Sequence, residues 1–458
     1  MDQRKQHHAA GSDPDSVPRA WEPHRVAANS VVAAAAAALG MPLPTSAERA
    51  FWGQAVDWLQ AGKPDVCVAA VATDLARRPL RSAKLGEWAV HYFDGARPAD
   101  EDRHEGERIQ LVARLVAAAL QRPDAPFELF SAKSLLMTFD DAVDGAEMGD
   151  SSSAVAKLVR HWAVSGGRRH LTAAPAAEAF SSLAAEMHNF SEVIEFYAGQ
   201  AALLQLGGQA VARFPPVLLL GEAGIGKTLF AASLARLIGS PWRYVGLAGQ
   251  TAGWVISGLD RAWSSGRPGL IVDALIASSV GNVVVLLDEI DKANTDSRYN
   301  VLGGLYGLLE ADTAATFVDE YLGMPINASA IIWICTANGI ENIPGPICSR
   351  LTVFEVPPPD RAQARHIVQR QFRRIRGAAR FRPLADDVVD RLAGLTPRRI
   401  GTELRAAMGR AARRAALAGH QVAVVRVEDL GPLPRSARPI GFVAPDVAAP
   451  SRAPGSQR

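Results

Sequence analysis

A glycine-rich loop followed by lysine and threonine is the segment whose residue types most directly define a chemistry. Its eight residues are, in order, Gly221, Glu222, Ala223, Gly224, Ile225, Gly226, Lys227 and Thr228. An apolar run precedes the loop and an apolar helical pattern follows it, which is the strand–loop–helix context that this motif requires. Glycines let backbone N–H groups surround phosphate oxygens, and a helix N-terminus favours negative charge. We expect a nucleoside triphosphate here, with Lys227 on the β- and γ-phosphates and Thr228 on Mg²⁺.

Two adjacent acids, Asp288 and Glu289, follow the apolar run 283–287. A buried strand that ends in two carboxylates is costly unless they face a polar site. Open α/β sheets bind ligands at the carboxyl ends of their strands, so both acids should lie near the phosphates. We expect Asp288 to hold Mg²⁺ and Glu289 to polarise the attacking water as the general base.

Two further polar residues follow the next apolar run, 330–335. Asn338 is uncharged and could orient the water between Glu289 and the γ-phosphate, although an asparagine at a strand end is often only a turn former. Arg350 comes after a Pro-Gly-Pro turn and could stabilise charge at the γ-phosphate. If Arg350 reaches the site of an adjacent subunit, hydrolysis requires a ring.

Two adjacent arginines, Arg398 and Arg399, open a late helical pattern after a Thr-Pro pair. Many arginines at helix starts are simply solvated, so their position alone defines no role. We expect one of them to contact the nucleotide and prefer Arg398, with Arg399 as the open alternative.

Composition narrows the class of protein. The 458 residues carry a formal net charge of +2, and this near balance gives no reason to expect nucleic acid as the partner. The three cysteines are scattered without metal-ligand spacing, which fits a reducing compartment. The longest alanine-rich run, 31–39, is too short to span a bilayer. We therefore expect a cytoplasmic protein with no membrane segment.

The pattern along the chain predicts helical regions on both sides of an α/β domain. Short continuous apolar runs at 214–220, 283–287 and 330–335 are typical of buried parallel strands, and helical segments lie between them. The predicted segments are a leader without fixed structure at 1–44, a helical accessory domain at 45–187, an α/β domain at 188–358, a helical lid at 359–430, and a tail without fixed structure at 431–458.

These motifs, taken in order, resemble Walker A, Walker B, sensor 1, arginine finger and sensor 2 of the AAA+ ATPases. The resemblance extends over about residues 188–430 and is greatest to the ATPase module of Lon proteases, through VVVLLDEIDK, FVDEYLGMPINASAIIWICTAN and ICSRLTVFEV. It implies a three-layer P-loop domain with a helical lid, ATP and Mg²⁺ as cofactors, and a homo-hexamer in which Arg350 completes the site of a neighbour.

The stretch SGLDRAWSSGRPGLIVDAL is similar to the Lon segment that carries the substrate-gripping pore loop. The resemblance puts Trp263 at the aromatic pore position, which implies a protein substrate. A core aromatic is the alternative for Trp263. The segment after Gly431 has neither a serine motif nor a lysine, so no intrinsic peptidase activity is expected.

The leading hypothesis is an ATP-hydrolysing ring motor that remodels or unfolds an unidentified protein partner. The alternative is a nucleic-acid-associated loader or initiator-type switch. A binding module that uses ATP only as a signal is disfavoured, because the acid pair Asp288–Glu289 is intact. A simple GTPase is also disfavoured, since no guanine-reading Asn/Thr-Lys-x-Asp motif is present.

Overall fold

The computed structural model describes residues 63, 65–70, 103–121, 125–144, 150–208, 211–248, 253–263, 265–293 and 301–431. The predicted leader at 1–44 and all but the first residue of the predicted tail lie outside the described residues. The chain divides into two compact units after Pro358. Each unit is described by itself below.

The earliest described part of the first unit is mostly helical. Its first described elements include residues 65–70, which are helical. Three longer helices and a two-stranded antiparallel pair follow: α1 (Arg103–Gln121), β1 (Phe127–Glu128), α2 (Ala132–Asp144), α3 (Asp150–Ser165) and β2 (Arg168–Arg169). Helix α3 packs on both α1 and α2. The buried Trp162 stacks on Phe130 with ring centroids 5.0 Å apart, so these helices share an apolar core.

The rest of the first unit alternates helices with strands. Its helices are α4 (Phe180–Glu186), α5 (Ser191–Leu206), α6 (Lys227–Ile238), α7 (Trp254–Ser257), α8 (Leu270–Ile276), α9 (Leu305–Leu308), α10 (Ala311–Ala314) and α11 (Gly345–Cys348). Its strands are β3 (Val217–Leu220), β4 (Trp242–Gly246), β5 (Val284–Asp288), β6 (Phe317–Val318), β7 (Pro325–Ile326), β8 (Ile332–Ala337) and β9 (Thr352–Glu355). Among the described residues, no helix is long and apolar enough to cross a membrane.

Five of these strands form a single parallel sheet in the order β4-β5-β8-β3-β9. The three apolar runs predicted as buried parallel strands are β3, β5 and β8, and they occupy the centre of the sheet. The two edge strands were not singled out from the sequence. Strand β4 begins with three exposed residues, so it has no continuous apolar run that would reveal it.

Alternate residues of the central strands pack on opposite sides of the sheet. Val285 and Leu287 of β5 belong to one apolar cluster, whereas Val284 and Leu286 belong to another that includes Phe230 of α6. Burial on both faces is what makes such strands continuously apolar rather than alternating. The predicted three-layer α/β architecture is therefore confirmed.

The second unit is helical. It contains α12 (Arg361–Arg376), α13 (Asp386–Leu392) and α14 (Pro397–Leu417). Helix α12 starts with a capping box in which Asp360 and Gln363 satisfy each other's backbone N–H groups. Its core is a separate apolar cluster centred on residues such as Val368 and Leu404.

Candidate active site

The glycine-rich loop joins the end of β3 to the start of α6. Gly226 is the N-cap of α6 with φ of 114°, a conformation that favours glycine. A Cβ on Gly221 would lie 2.6 Å from the carbonyl oxygen of Val356, so a side chain is excluded there. Glu222 and Ala223 are exposed on the loop, whereas Ile225 is buried. The loop therefore anchors on its apolar residue and presents backbone at its surface.

Two stacked aromatic rings pack against the glycine-rich loop near Gly226. The rings of Phe190 and Phe230 stack with centroids 4.8 Å apart and an interplanar angle of 2°. A Cβ on Gly226 would lie 3.7 Å from the ring of Phe190. The helical turn that contains Phe190 is held to the end of the sheet, because Asn189 donates to the carbonyl oxygen of Pro357 at 3.3 Å. The segment just before α5 is thus part of the loop's support.

Lys227 is buried, with 7% of its surface exposed. Its ammonium donates to the carbonyl oxygens of Gly221 and Glu222. It also lies 3.3 Å from Oδ1 of Asn338, at the end of β8. A buried ammonium needs such partners, because desolvation of an unpaired charge is costly. The structure therefore brings the predicted phosphate-binding lysine and the predicted water-orienting asparagine together.

A second set of contacts joins α6 to the ends of β5 and β8. The Thr228 hydroxyl donates to Oδ2 of Asp288 at 3.3 Å. The Thr336 hydroxyl donates to Oδ1 of Asp288 and accepts the backbone N–H of Glu289, the latter at 3.0 Å. Hydroxyl and carboxylate oxygens are ligands that suit Mg²⁺, which usually keeps several waters and substrate phosphates as well. Thr228 and Asp288 therefore fit the metal-binding roles predicted for them.

Thr336 is a residue of this network that the sequence reasoning missed. It is fully buried within the otherwise apolar strand β8. A hydroxyl inside a buried apolar strand requires a hydrogen-bond partner. That lone polar residue was the available signal, and its partner Asp288 lies 48 residues earlier in the chain.

Glu289 has a left-handed backbone, with φ of 59° and ψ of 51°. Among the described residues, it is the one non-glycine residue with positive φ. Such a conformation costs on the order of 1–3 kcal/mol and often occurs at functional sites. The hydrogen bond from its N–H to Thr336 helps to hold this turn, which directs the chain sharply away from the end of β5.

Arg350 follows α11 and is tied locally. Its Nε lies 2.7 Å from a carboxylate oxygen of Glu310, and its Nη1 donates to the carbonyl oxygen of Pro346 at 2.7 Å. The structure does not join Arg350 to the contacts around Lys227 and Asp288 in the part of the chain that it describes. Glu310 is a second residue that the sequence reasoning missed, since nothing in the local pattern links it to an arginine forty residues away.

Arg398 and Arg399 belong to the second unit. Both are exposed in the first turn of α14, where Pro397 begins the helix. Arg398 lines a cavity of about 390 Å³ together with Arg374 and Arg405. The choice between Arg398 and Arg399 as the nucleotide contact stays a prediction.

Trp263 lies in the loop between α7 and α8 and is 66% exposed. Leu259 and Arg267 form an antiparallel bridge on either side of it. The alternative that Trp263 is a core aromatic is therefore wrong. Its assignment as a pore-loop residue stays a prediction.

Comparison with known proteins matches the region that contains this site. Residues 217–358 match the sequence model of the family described as "ATPase family associated with various cellular activities (AAA)". The peroxisomal Lon protease homolog 2 of Oryza sativa subsp. indica is 36% identical over 146 residues, which is 32% of this chain and 16% of that protein. Lon protease 2 of Sorangium cellulosum (strain So ce56) is 36% identical over 143 residues, covering 31% of this chain and 18% of that protein.

A further relative is Lon protease 1 of Myxococcus xanthus, 34% identical over 164 residues, 36% of this chain and 19% of that protein. The chain thus spans less than a fifth of the length of these relatives. Among solved structures, a RuvB of Thermotoga maritima matches with a TM-score of 0.36 and 15% identity, over 56% of this chain and 68% of that one, which is too weak a likeness to add to the fold. Residues 217–358 therefore match the AAA ATPase family, and this region of the chain is similar to the corresponding part of the Lon proteases.

Proposed function

We propose that this chain binds ATP and hydrolyses it as a subunit of a Lon-like homo-hexameric ring motor that remodels or unfolds a protein partner in the cytoplasm. The observation that carries the proposal is the pair of contacts across the strand ends. Lys227 meets Asn338, and Thr228 meets Asp288, so the phosphate loop and both polar strand ends share one site.

ATP binding is supported by the loop. The backbone of residues 221–226 and the ammonium of Lys227 would surround the β- and γ-phosphates. The N-terminus of α6 adds partial positive charge toward the same oxygens. Thr228 and Asp288 would hold Mg²⁺, which when bound neutralises charge on the phosphates.

Hydrolysis is supported by the acid that follows β5. Glu289 would accept a proton from the attacking water. Its left-handed backbone sets the direction in which its side chain leaves the main chain. Asn338 would orient that water from the end of β8, with its amide oxygen held beside Lys227. Both groups act from strand ends rather than loop tips, which keeps their geometry precise.

Assembly into a ring is supported by the position of Arg350. Its guanidinium contacts Glu310 and Pro346 of its own subunit, so it is not used by the site of that subunit. We infer that it serves the γ-phosphate of a neighbouring copy. In the same scheme, Arg398 contacts the nucleotide from a lid at 359–430, and residues 45–187 form an accessory domain.

A polypeptide substrate is supported by the exposed Trp263. An exposed aromatic ring offers apolar surface that can contact an extended polypeptide. The matched relatives are named as proteases, and we extend from them only the polypeptide as the class of substrate.

One observation favours the nucleic-acid alternative. Residues 359–431 contain sixteen arginines and no lysine against seven acids, so this segment is strongly basic although the whole chain is nearly neutral. A basic surface attracts polyanions, and such binding weakens steeply with salt. The near balance of the whole chain was therefore an insufficient reason to set nucleic acid aside.

ATPase stimulation separates the two candidates. We expect an unfolded protein such as reduced casein to raise turnover of the wild type, and double-stranded DNA to leave it unchanged at 150 mM salt. A Glu289→Gln variant in ATP should retain polypeptide in a pulldown, whereas Lys227→Ala should not. Stimulation by DNA alone, lost at high salt, would replace the remodelling proposal with the loader-type alternative.

A further inference from the structure

The segment between β6 and β7 contains a buried acid whose hydrogen bonds reach a distant loop. Asp319 is fully buried. Its Oδ2 accepts the N–H of Gly269 at 2.8 Å, and its Oδ1 accepts the N–H groups of Tyr321 at 3.0 Å and Leu322 at 3.1 Å. Two of these bonds close a local turn, whereas the bond to Gly269 spans 50 residues.

Gly269 is one end of a loop that we define as residues 258–269, between α7 and α8. The Leu259 N–H donates to Arg267 at 2.9 Å, which closes the loop near its base. Within it, the Trp263 N–H donates to the carbonyl oxygen of Asp260 at 3.1 Å. The described residues of the loop, 258–263 and 265–269, therefore start and end at the same place, with Trp263 exposed.

Both ends of the loop converge on the Asp319 carboxylate. A Cβ on Gly258 would lie 2.7 Å from Oδ1 of Asp319, and a Cβ on Gly269 would lie 2.9 Å from Oδ2. Gly258 also has φ of 86°, which favours glycine. A Cβ on Gly269 would also lie 2.4 Å from the backbone N of Gly258 and from the carbonyl oxygen of Ile256. The two ends of the loop therefore lie against each other as well as against the carboxylate, and this close approach requires glycine at both positions.

Neighbouring contacts hold the same junction. The Glu320 N–H donates to the carbonyl oxygen of Ser257 at 2.8 Å, and the side chains of these two residues lie 3.1 Å apart. The Arg267 guanidinium stacks on the Trp254 ring at 3.7 Å. These contacts align the base of the loop, but the carboxylate is the group that meets both glycines.

Asp319 has no basic partner in the described structure. Burial raises its pKa to about 6 despite the three N–H donors, and the nearby charge of Asp273 raises it further. The groups that face it are those donors, Asp273 and Tyr321, whose own pKa the carboxylate raises. A buried carboxylate without a cation costs stability, so packing alone does not account for its presence.

We propose that Asp319 is a positioning residue for the loop 258–269, which it holds by both ends so that Trp263 is presented for contact with a polypeptide. The loop's use in polypeptide binding rests on the proposed function. The ordering of the loop by Asp319 does not, and it can be measured separately.

Limited trypsin digestion tests the ordering directly. Arg261 offers a cleavable bond inside the loop, whereas Pro268 blocks cleavage after Arg267. In Asp319→Asn, the amide would place an N–H donor toward Gly269, which removes that hydrogen bond while preserving shape. We expect cleavage after Arg261, followed by mass spectrometry in the full chain, to accelerate about tenfold, because bonds to charged groups shift local opening by that order.

Asp312→Asn is the matched control, since Asp312 is exposed on α10 nearby. It should leave cleavage after Arg261 at the wild-type rate. Equal rates for Asp319→Asn and Asp312→Asn would overturn the proposal.

Amide exchange of the wild type keeps the test decisive if Asp319→Asn does not fold. Burial raises the pKa of Asp319 in the closed loop, and opening would return it to its ordinary value, so the closed loop binds the proton more tightly. Protection of the Gly269 amide should therefore rise about tenfold from pH 7.5 to pH 5, after correction for intrinsic rates. Amides of β5 provide the internal reference and should keep their protection. Unchanged relative protection of Gly269 would contradict the proposal.

A double-mutant comparison then links the ordering to polypeptide binding. Asp319→Asn should raise the KM for casein stimulation, and Trp263→Ala should raise it as well. The double variant should resemble Trp263→Ala alone, because both changes disable one loop. If digestion shows the loop released while casein stimulates no variant or wild type, the proposed function fails and the positioning role stands.

Discussion

The two compact units place their candidate residues by different means. In the first unit, the parallel sheet gathers side chains from distant parts of the chain: Lys227 meets Asn338 and Thr228 meets Asp288. In the second unit, Arg398 and Arg399 lie exposed along a single helix and are not gathered by any strand. Residues at the ends of neighbouring parallel strands lie close together even when they are far apart in the chain. Residues along one helix are brought close only to their neighbours in sequence.

The last 58 residues of the first unit and the described part of the second unit also differ in charge. Residues 301–358 contain one basic residue, Arg350, against six acids, whereas residues 359–431 contain sixteen arginines against seven acids. Some of those arginines are neutralised locally, as where Arg414 pairs with Asp429. The first unit therefore gathers its candidate residues in a few buried contacts, whereas the second unit carries many exposed arginines.

Removal of Lys227 is the strongest test of the gathered site. Lys227→Ala removes the buried ammonium that the strand ends share, so we expect ATP binding to weaken by about 100-fold or more and turnover to be lost. A fluorescent ATP analogue titration measures it. Lys292→Ala, which changes a half-exposed lysine paired with Asp291, should bind normally. Tight ATP binding by Lys227→Ala would show that the ammonium of Lys227 is not required to hold the nucleotide.

Arg350→Ala tests whether the gathered site is completed by a neighbour. ATP binding should be retained, while turnover should fall about 10³-fold, the effect typical of an arginine at the γ-phosphate. Mixing this variant with Glu289→Gln should restore part of the activity in steady-state ATPase assays. If mixing restores nothing although mixed rings form, Arg350 does not act on a neighbour.

Glu289→Gln tests the acid at the end of β5. Loss of the base should lower turnover by about 10²-fold with ATP binding intact. Single-turnover hydrolysis measures the chemical step. Glu355→Gln, at the exposed end of β9, is the matched control. Hydrolysis by Glu289→Gln at the wild-type rate would make the assignment wrong.

Substitution of the adjacent arginines tests whether the second unit contributes to nucleotide binding. Arg398→Ala should weaken ATP binding or turnover about tenfold, in the range of one charged hydrogen bond, and Arg399→Ala should have little effect. Titration and turnover of both variants decide between them. The reverse result would transfer the role to Arg399, and no effect in either would restrict nucleotide recognition to the first unit.

The last expected effect concerns the pH dependence of stability. The raised pKa of Asp319 means that the native state binds its proton more tightly than the unfolded chain does. Asp319 therefore costs least stability below about pH 4 and lowers stability as pH rises through 6, by at most about 3 kcal/mol. Denaturant unfolding of wild type and Asp319→Asn measures this contribution, and the stability of the wild type relative to the variant should rise on acidification. A pH-independent difference would contradict it.

Much of the fold could be predicted because buried parallel strands are written as continuous apolar runs. Strands β3, β5 and β8 are predicted from such runs. Edge strand β4 begins with three exposed residues and therefore has no apolar run from which it could be predicted. The pairing of Thr336 with Asp288, of Glu310 with Arg350 and of Asp319 with Gly269 could not be found. Each depends on side chains that only tertiary packing brings together, and no local spacing marks them.

The charge of the second unit was missed for another reason. A whole-chain sum of +2 averages a basic segment with acidic ones and erases their separation. A count of charged residues in each unit separately shows that the second unit is basic. The electrostatic field at a surface depends on the local distribution, not on the total.

The left-handed backbone of Glu289 has a consequence for engineering this protein. Glycine would adopt that conformation without strain, so Glu289→Gly should gain stability of about 1 kcal/mol while removing the carboxylate that we propose as the base. A thermostability screen that ignores turnover would select this change. At this position folding stability favours glycine, whereas the proposed hydrolysis requires glutamate.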